Sequence, residues 1–118
     1  MSKRPPHLLI EDIWEAIARI ERYVAGMTAK AFLTDDKTSD AVARNLEIIG
    51  EAANRLSDNF KQEHQTIEWP KIVGLRHRIV HDYFGIDREI IWQIVREDLP
   101  KLKSKLRPLR REPEHGIE

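Results

Sequence analysis

Apolar positions fall into stripes at helical spacing along most of this chain. Ile10, Ile13, Trp14, Ile17, Ile20 and Val24 recur mainly at three- and four-residue steps, which gathers them on one side of a helix. Pro5-Pro6 precede that stripe and Gly26 follows it, as start and stop signals do. Thr28 to Leu33 adds a turn or two before the polar run Thr34-Asp35-Asp36-Lys37-Thr38.

A second stripe, Val42, Leu46, Ile49, Ala53, Leu56 and Phe60, steps by four, three, four, three and four residues. Thr38 or Ser39 can cap its free N–H groups, and Lys61 to Glu68 reads as a polar connection. Trp69-Pro70 marks the start of a third helix, because proline suits the first turn and not the interior. Its stripe of Ile72, Leu75, Ile79, Val80 and Tyr83 predicts a helix running to about Tyr83. Gly85 then breaks the pattern, and Asp87 can cap a last helix that holds Ile90, Ile91, Ile94 and Val95. Pro100 should kink that helix or restart it with Asp98 as a new cap, and Leu102 and Leu106 continue its apolar face.

No run alternates in the manner of a strand. Four main helices joined by short connections predict an all-α, antiparallel four- to five-helix bundle. Its 118 residues suit one domain, read here as residues 1–107, with a charged, proline-containing tail, 108–118, expected to be mobile. The absence of cysteine excludes disulfides, thiolate metal sites and thiol nucleophiles and fits a reducing cytoplasmic compartment. The first residues lack the apolar stretch of a signal peptide, and no apolar run approaches the roughly 20 residues of a membrane span. A soluble, cytoplasmic protein is the expectation.

Twenty basic and twenty acidic residues give a formal net charge of zero, so no global field draws in nucleic acid. The distribution is uneven: Lys101, Lys103, Lys105, Arg107, Arg110 and Arg111 follow one another with no intervening acid. Such a stripe either contacts phosphates or forms the solvated, dipole-complementing end of a helix.

The third helix carries the candidate chemistry. Arg76 falls within its apolar face, where a guanidinium needs a carboxylate, a phosphate or a wet interface. It is either paired with a glutamate of the neighbouring helix, Glu47 or Glu51, or it binds an anion at a cleft or subunit interface. His81 lies about 140° round an ideal helix from Arg76, so the two meet at one atom only with difficulty. A second copy related by a two-fold axis would bring such residues together. His77 and His81 have i,i+4 spacing that can hold zinc, but no H-E-x-x-H motif surrounds them and the adjacent arginines disfavour a cation, so no metal is assigned. In the second helix Glu47, Gly50, Glu51 and Asn54 lie beside the core stripe. Gly50 costs roughly 1 kcal/mol relative to alanine there, which close approach of another backbone or chain would explain. The bland alternative is a polar face with Glu51 and Arg55 paired at i,i+4. No glycine-rich phosphate loop and no nucleophile elbow is present.

Arg76, four residues, His81, one residue and Tyr83 match the R-x4-H-x-Y motif, and the chain resembles the HepT-like branch of the HEPN ribonuclease toxins. The segment from Asp40 to Ala53 is similar to that family's second-helix block. Trp69 to Arg76 and His81 to Asp87 are similar to its third-helix region. The resemblance implies a HEPN-like bundle that forms a homodimer, with Arg/His motifs of both chains lining one cleft. It implies a metal-independent endoribonuclease without cofactor, acting on RNA as a toxin. It also implies a minimal nucleotidyltransferase antitoxin that silences the toxin by AMPylating the motif tyrosine. Carried onto this chain, Arg76 and His81 are catalytic and Tyr83 is the modification site, with Glu47, Glu51, Asn54, His77, Arg78 and Asp82 in supporting roles. A non-catalytic nucleotide- or partner-binding module is the alternative on the same fold.

Overall fold

The computed structural model describes residues 4–80 and 85–110. The first stripe forms α1 (Pro6–Val24), opened by proline in its first turn. Just beyond its end, Gly26 adopts φ +77°, a left-handed conformation that costs an L side chain energy and glycine little. The short α2 (Ala29–Leu33) is capped by Thr28, whose hydroxyl accepts from the Ala31 N–H at 3.1 Å. α3 (Asp36–Arg55) begins earlier than its apolar stripe suggests, because Asp35 and not Thr38 or Ser39 supplies the cap. The Asp35 carboxylate accepts from the Thr38 N–H at 2.9 Å and its hydroxyl at 2.8 Å, which outcompetes the hydroxyl caps further on.

Phe60 does not continue α3. Leu56 turns extended, and Ser57 caps a separate α4 (Asp58–Glu63), which takes up Phe60 and runs into the expected polar connection. α5 (Trp69–Val73) starts where Trp69-Pro70 predicts, with the buried indole donating to the His64 carbonyl at 3.0 Å. The third helix is then broken. Gly74 ends α5, α6 (Leu75–Ile79) follows, and Val80 is extended and bridges antiparallel to Ile86. A continuous helix to Tyr83 is therefore not formed, and residues 81–84 lie outside the described residues.

Asp87 caps α7 (Arg88–Gln93) by accepting from the Ile90 N–H at 3.1 Å. Pro100 neither stops nor restarts the helix. A π-helical turn, Ile94–Asp98, leads directly into α8 (Leu99–Leu106), and Asp98 makes no cap. Proline lacks an N–H and its ring presses on the preceding turn, and a widened turn relieves both problems without ending the helix. A 3₁₀ turn, Arg107–Leu109, follows.

Register shows how the long helices lie. Arg19 bonds to Asn45, whereas Leu9 and Asp12 border a cleft with Ile48, Glu51 and Ala52, so α1 and α3 run antiparallel. Lys103 pairs with Glu21, Arg107 stacks on Trp14 and Arg110 pairs with Glu11, so α8 and its extension run antiparallel to α1 as well. The core is continuous across α1, α3, α5, α6, α7, the π turn and α8. Ile13, Ile20, Leu46, Ile49, Ile79, Ile91 and Leu106 are fully buried in it. Fully burying each such side chain stabilises the fold by about 1.5–3 kcal/mol. The architecture is the expected all-α helical bundle. Among the described residues no helix is long and apolar enough to cross a membrane.

Candidate functional site

The close contact between α3 and the α5–α6 junction positions the candidate site. A Cβ on Gly50 would sit 3.3 Å from the Ile72 carbonyl oxygen and 3.4 Å from that of Val73. Glycine thus lets the two backbones approach, the explanation its cost in mid-helix called for. Gly74 breaks the helix at this point, and the break resets the rotation of the residues that follow. Leu75 and Ile79 turn into the core, while Arg76, His77 and Val80 turn out, with Val80 42% exposed. Arg76 is therefore not inside a buried apolar face, and among the described residues no buried glutamate neutralises it.

Instead Arg76 lines an open cleft of roughly 350 Å³, whose other charged walls are Asp12, Arg44, Glu47, Glu51 and Arg55, over Leu9, Ile48 and Ala52. Asp12 is already engaged: Arg4 donates to its carboxylate through Nε at 2.7 Å and Nη2 at 2.9 Å. The same bond holds the Arg4 guanidinium above its usual pKa. Glu51 is 3.8 Å from the Arg55 Nε, a loose and exposed i,i+4 pair. Arg76 itself makes no side-chain hydrogen bond or ion pair among the described residues, so its guanidinium is available to an incoming anion.

The remaining candidates are divided among other surfaces. Asn54 borders a broader groove with Asp58, Lys61, Trp69 and Lys71. His77 is exposed on α6. Arg78 points to the opposite side of α6 and donates to Asp98 at 3.1 Å. His81, Asp82 and Tyr83 lie outside the described residues. Of the nine residues singled out, the structure brings Arg76, Glu47 and Glu51 to one cleft. Among the described residues no group of three His, Cys, Asp or Glu side chains could hold a metal ion.

Arg44, Arg55 and Asp12 were not singled out from the sequence as part of this cleft. A signal was present. Arg44, Glu47, Glu51 and Arg55 step by three, four and four residues, a line of two carboxylates between two guanidinium groups beside the core stripe of α3. Asn45 was also passed over, although it is buried, accepts from Arg19 at 3.2 Å and donates to the Ala41 carbonyl at 2.9 Å. It fixes α1 against the wall of the cleft.

Comparison with known proteins gives one consistent answer. The model of the "Ribonuclease HepT-like" family matches residues 13–109. A Thermococcus cleftensis protein described as "Probable ribonuclease HepT" is 42% identical over 109 residues, covering 92% of this chain and 99% of the relative. A Methanocaldococcus jannaschii protein described as "Putative RNase" is 36% identical over 106 residues, covering 90% of this chain and 97% of its own. No solved structure gives a significant match.

Proposed function

We propose that this chain, which belongs to the HepT-like ribonuclease family, is a metal-independent endoribonuclease that cuts RNA with Arg76 and His81. The observation that carries this reading is Arg76 itself. Among the described residues it has no partner, and it stands on the wall of an open cleft, five residues ahead of a histidine, in a chain whose relatives are described as ribonucleases. An exposed guanidinium held there by a glycine-pinned backbone suits a phosphodiester better than it suits the core.

In the proposed reaction neutral His81 takes the proton of a ribose 2′-hydroxyl, whose oxygen attacks the adjacent phosphorus. The P–O5′ bond breaks, and a second His81, that of another copy in a homodimer and in its protonated imidazolium form, gives its proton to the leaving oxygen. Arg76 holds the phosphate and stabilises the charge that develops on it. The products are a 2′,3′-cyclic phosphate and a 5′-hydroxyl. Glu47 and Glu51 keep the cleft from binding anions indiscriminately, consistent with a chain of zero net charge. In this reading the protein is a toxin restrained by a minimal nucleotidyltransferase antitoxin. Transfer of AMP to the Tyr83 hydroxyl would add bulk and negative charge beside the motif and exclude RNA.

The test is cleavage of mixed cellular RNA in EDTA by wild type and by His81→Ala, with end-group analysis. Discrete fragments ending in cyclic phosphate, absent with the variant, are expected. RNA left intact by wild type whose Tyr83 is shown by mass to be unmodified would overturn the nuclease and favour the non-catalytic binding module.

A further inference from the structure

Among the described residues the basic stripe of the last helix divides into two sets, and only one of them is neutralised. Lys103 donates to both carboxylate oxygens of Glu21 at 3.0 and 2.9 Å, and Arg110 donates to Glu11 at 2.7 and 3.1 Å. Arg107 lies over the Trp14 ring, 5.2 Å from its centroid. This set clasps α8 and its extension to α1. Lys101 and Lys105 lie one turn apart on another side of α8, exposed, and neither has a carboxylate partner among the described residues. Like charges at i,i+4 repel, so this pair costs the helix stability that an anion between them would restore.

Both lysines stand on the rim of a cavity of roughly 210 Å³ between α5, α6, the π turn and α8. Lys71 and Arg78 stand on the same rim, and the floor is apolar, formed by Ile72, Leu75 and Leu102 among others. Two carboxylates oppose these four cations. Asp98 fixes the Arg78 guanidinium at 3.1 Å and lies 4.0 Å from the Lys71 ammonium, which is also 3.9 Å from Glu68. The cavity therefore carries an excess of positive charge in an otherwise neutral protein. The widened turn before Pro100 is the segment that places Asp98, and with it Arg78, on this rim.

We propose that this groove is a second RNA contact, separate from the Arg76 cleft, in which Lys101 and Lys105 grip the phosphates of a single strand. Arg78, whose planar guanidinium is held by Asp98, offers a surface on which a base stacks above the apolar floor. RNA is favoured over an acidic protein segment because the paired charges lie on one helical line while the floor beside them is apolar, an arrangement that serves alternating phosphates and bases. The groove rests on the reading of the protein as a ribonuclease, since it extends the path of the same substrate. Arg78 sits two residues from Arg76 on the opposite side of α6, so a strand that crosses α6 meets both surfaces.

The experiment measures binding of a fluorescein-labelled single-stranded RNA by anisotropy across a salt series, together with single-turnover cleavage at saturating protein. The wild type is compared with Lys101→Glu/Lys105→Glu and with Lys30→Glu/Lys37→Glu, exposed lysines on α2 and α3 that match the charge change. The groove variant is expected to raise Kd at least tenfold and to reduce the salt slope by about 1.4, the share of two single-strand phosphate contacts. The control should change neither beyond about twofold. Lys101→Ala/Lys105→Ala, which removes the repulsion without adding charge, serves if the glutamates disturb folding. An equal Kd and slope in groove variant and control, with wild type still cutting, overturns the groove alone. Absence of cleavage in every protein, with binding that still depends on Lys101 and Lys105, overturns the nuclease and keeps the groove.

Discussion

Arg78 donates to Asp98 at 3.1 Å, and through that bond the short helix that carries Arg76 is tied to the π turn of the last helix. The partners are about one-third and one-quarter exposed, 34% and 23%, so solvent screens the pair only in part. A double-mutant cycle of Arg78→Ala and Asp98→Ala, read by urea unfolding, should give a coupling of about 0.5–1 kcal/mol that shrinks in molar salt. A coupling indistinguishable from zero at low salt would show that packing alone holds α6 in place.

The approach of α3 to the α5–α6 junction predicts an ordered series at Gly50. Alanine brings roughly 1 kcal/mol of helix propensity, but its methyl group meets backbone carbonyls at 3.3 and 3.4 Å that cannot rotate away. Gly50→Leu should destabilise by about 1–3 kcal/mol through overpacking, with Gly50→Ala well short of that. Thermal or urea unfolding of the two variants checks the order, and a leucine variant as stable as wild type would contradict the contact.

Arg76 separates stability from activity. Its side chain is exposed and makes no bond among the described residues, so Arg76→Ala should change unfolding free energy by no more than about 0.5 kcal/mol. Cleavage under the proposed mechanism should fall by about 10²–10³-fold. A large loss of stability would mean that Arg76 serves the fold.

Asp35 makes the N-terminus of α3 sensitive to acid. Its bonds from Thr38, first the backbone N–H and then the hydroxyl, hold its carboxyl below the usual value. A group depressed in the folded state contributes stability above its unfolded pKa, near 3.9, and loses that contribution as pH falls through the folded value. Asp35→Asn keeps a capping oxygen without the charge. Wild type should therefore be the more stable of the two at pH 7, and the difference should disappear as pH drops below about 4. A difference that does not vary from pH 7 to pH 2, followed by far-UV circular dichroism melts, would refute the role of the charge.

The basic run from Lys101 onward illustrates how much was legible. Its composition allowed a solvated helix end or a phosphate contact, and the fold puts part of it to a third use, a clasp onto α1. Lys103, Arg107 and Arg110 meet Glu21, Trp14 and Glu11 on a helix some 80 to 100 residues earlier. Pairings across such a separation leave no local periodicity to read. At Gly50 the opposite held, because an isolated helical glycine already signalled a close backbone.

Determined by the sequence itself were the helical class, the start of the first helix, the Asp87 cap, the motif residues and the family. These depend on spacing and on residue chemistry within a few turns of chain. Tertiary structure alone decided that Gly74 splits the third helix and turns Arg76 outward, that a π turn absorbs Pro100, and which cations find carboxylates. Those outcomes depend on contacts between distant helices, where a small change in rotation moves a side chain from core to cleft.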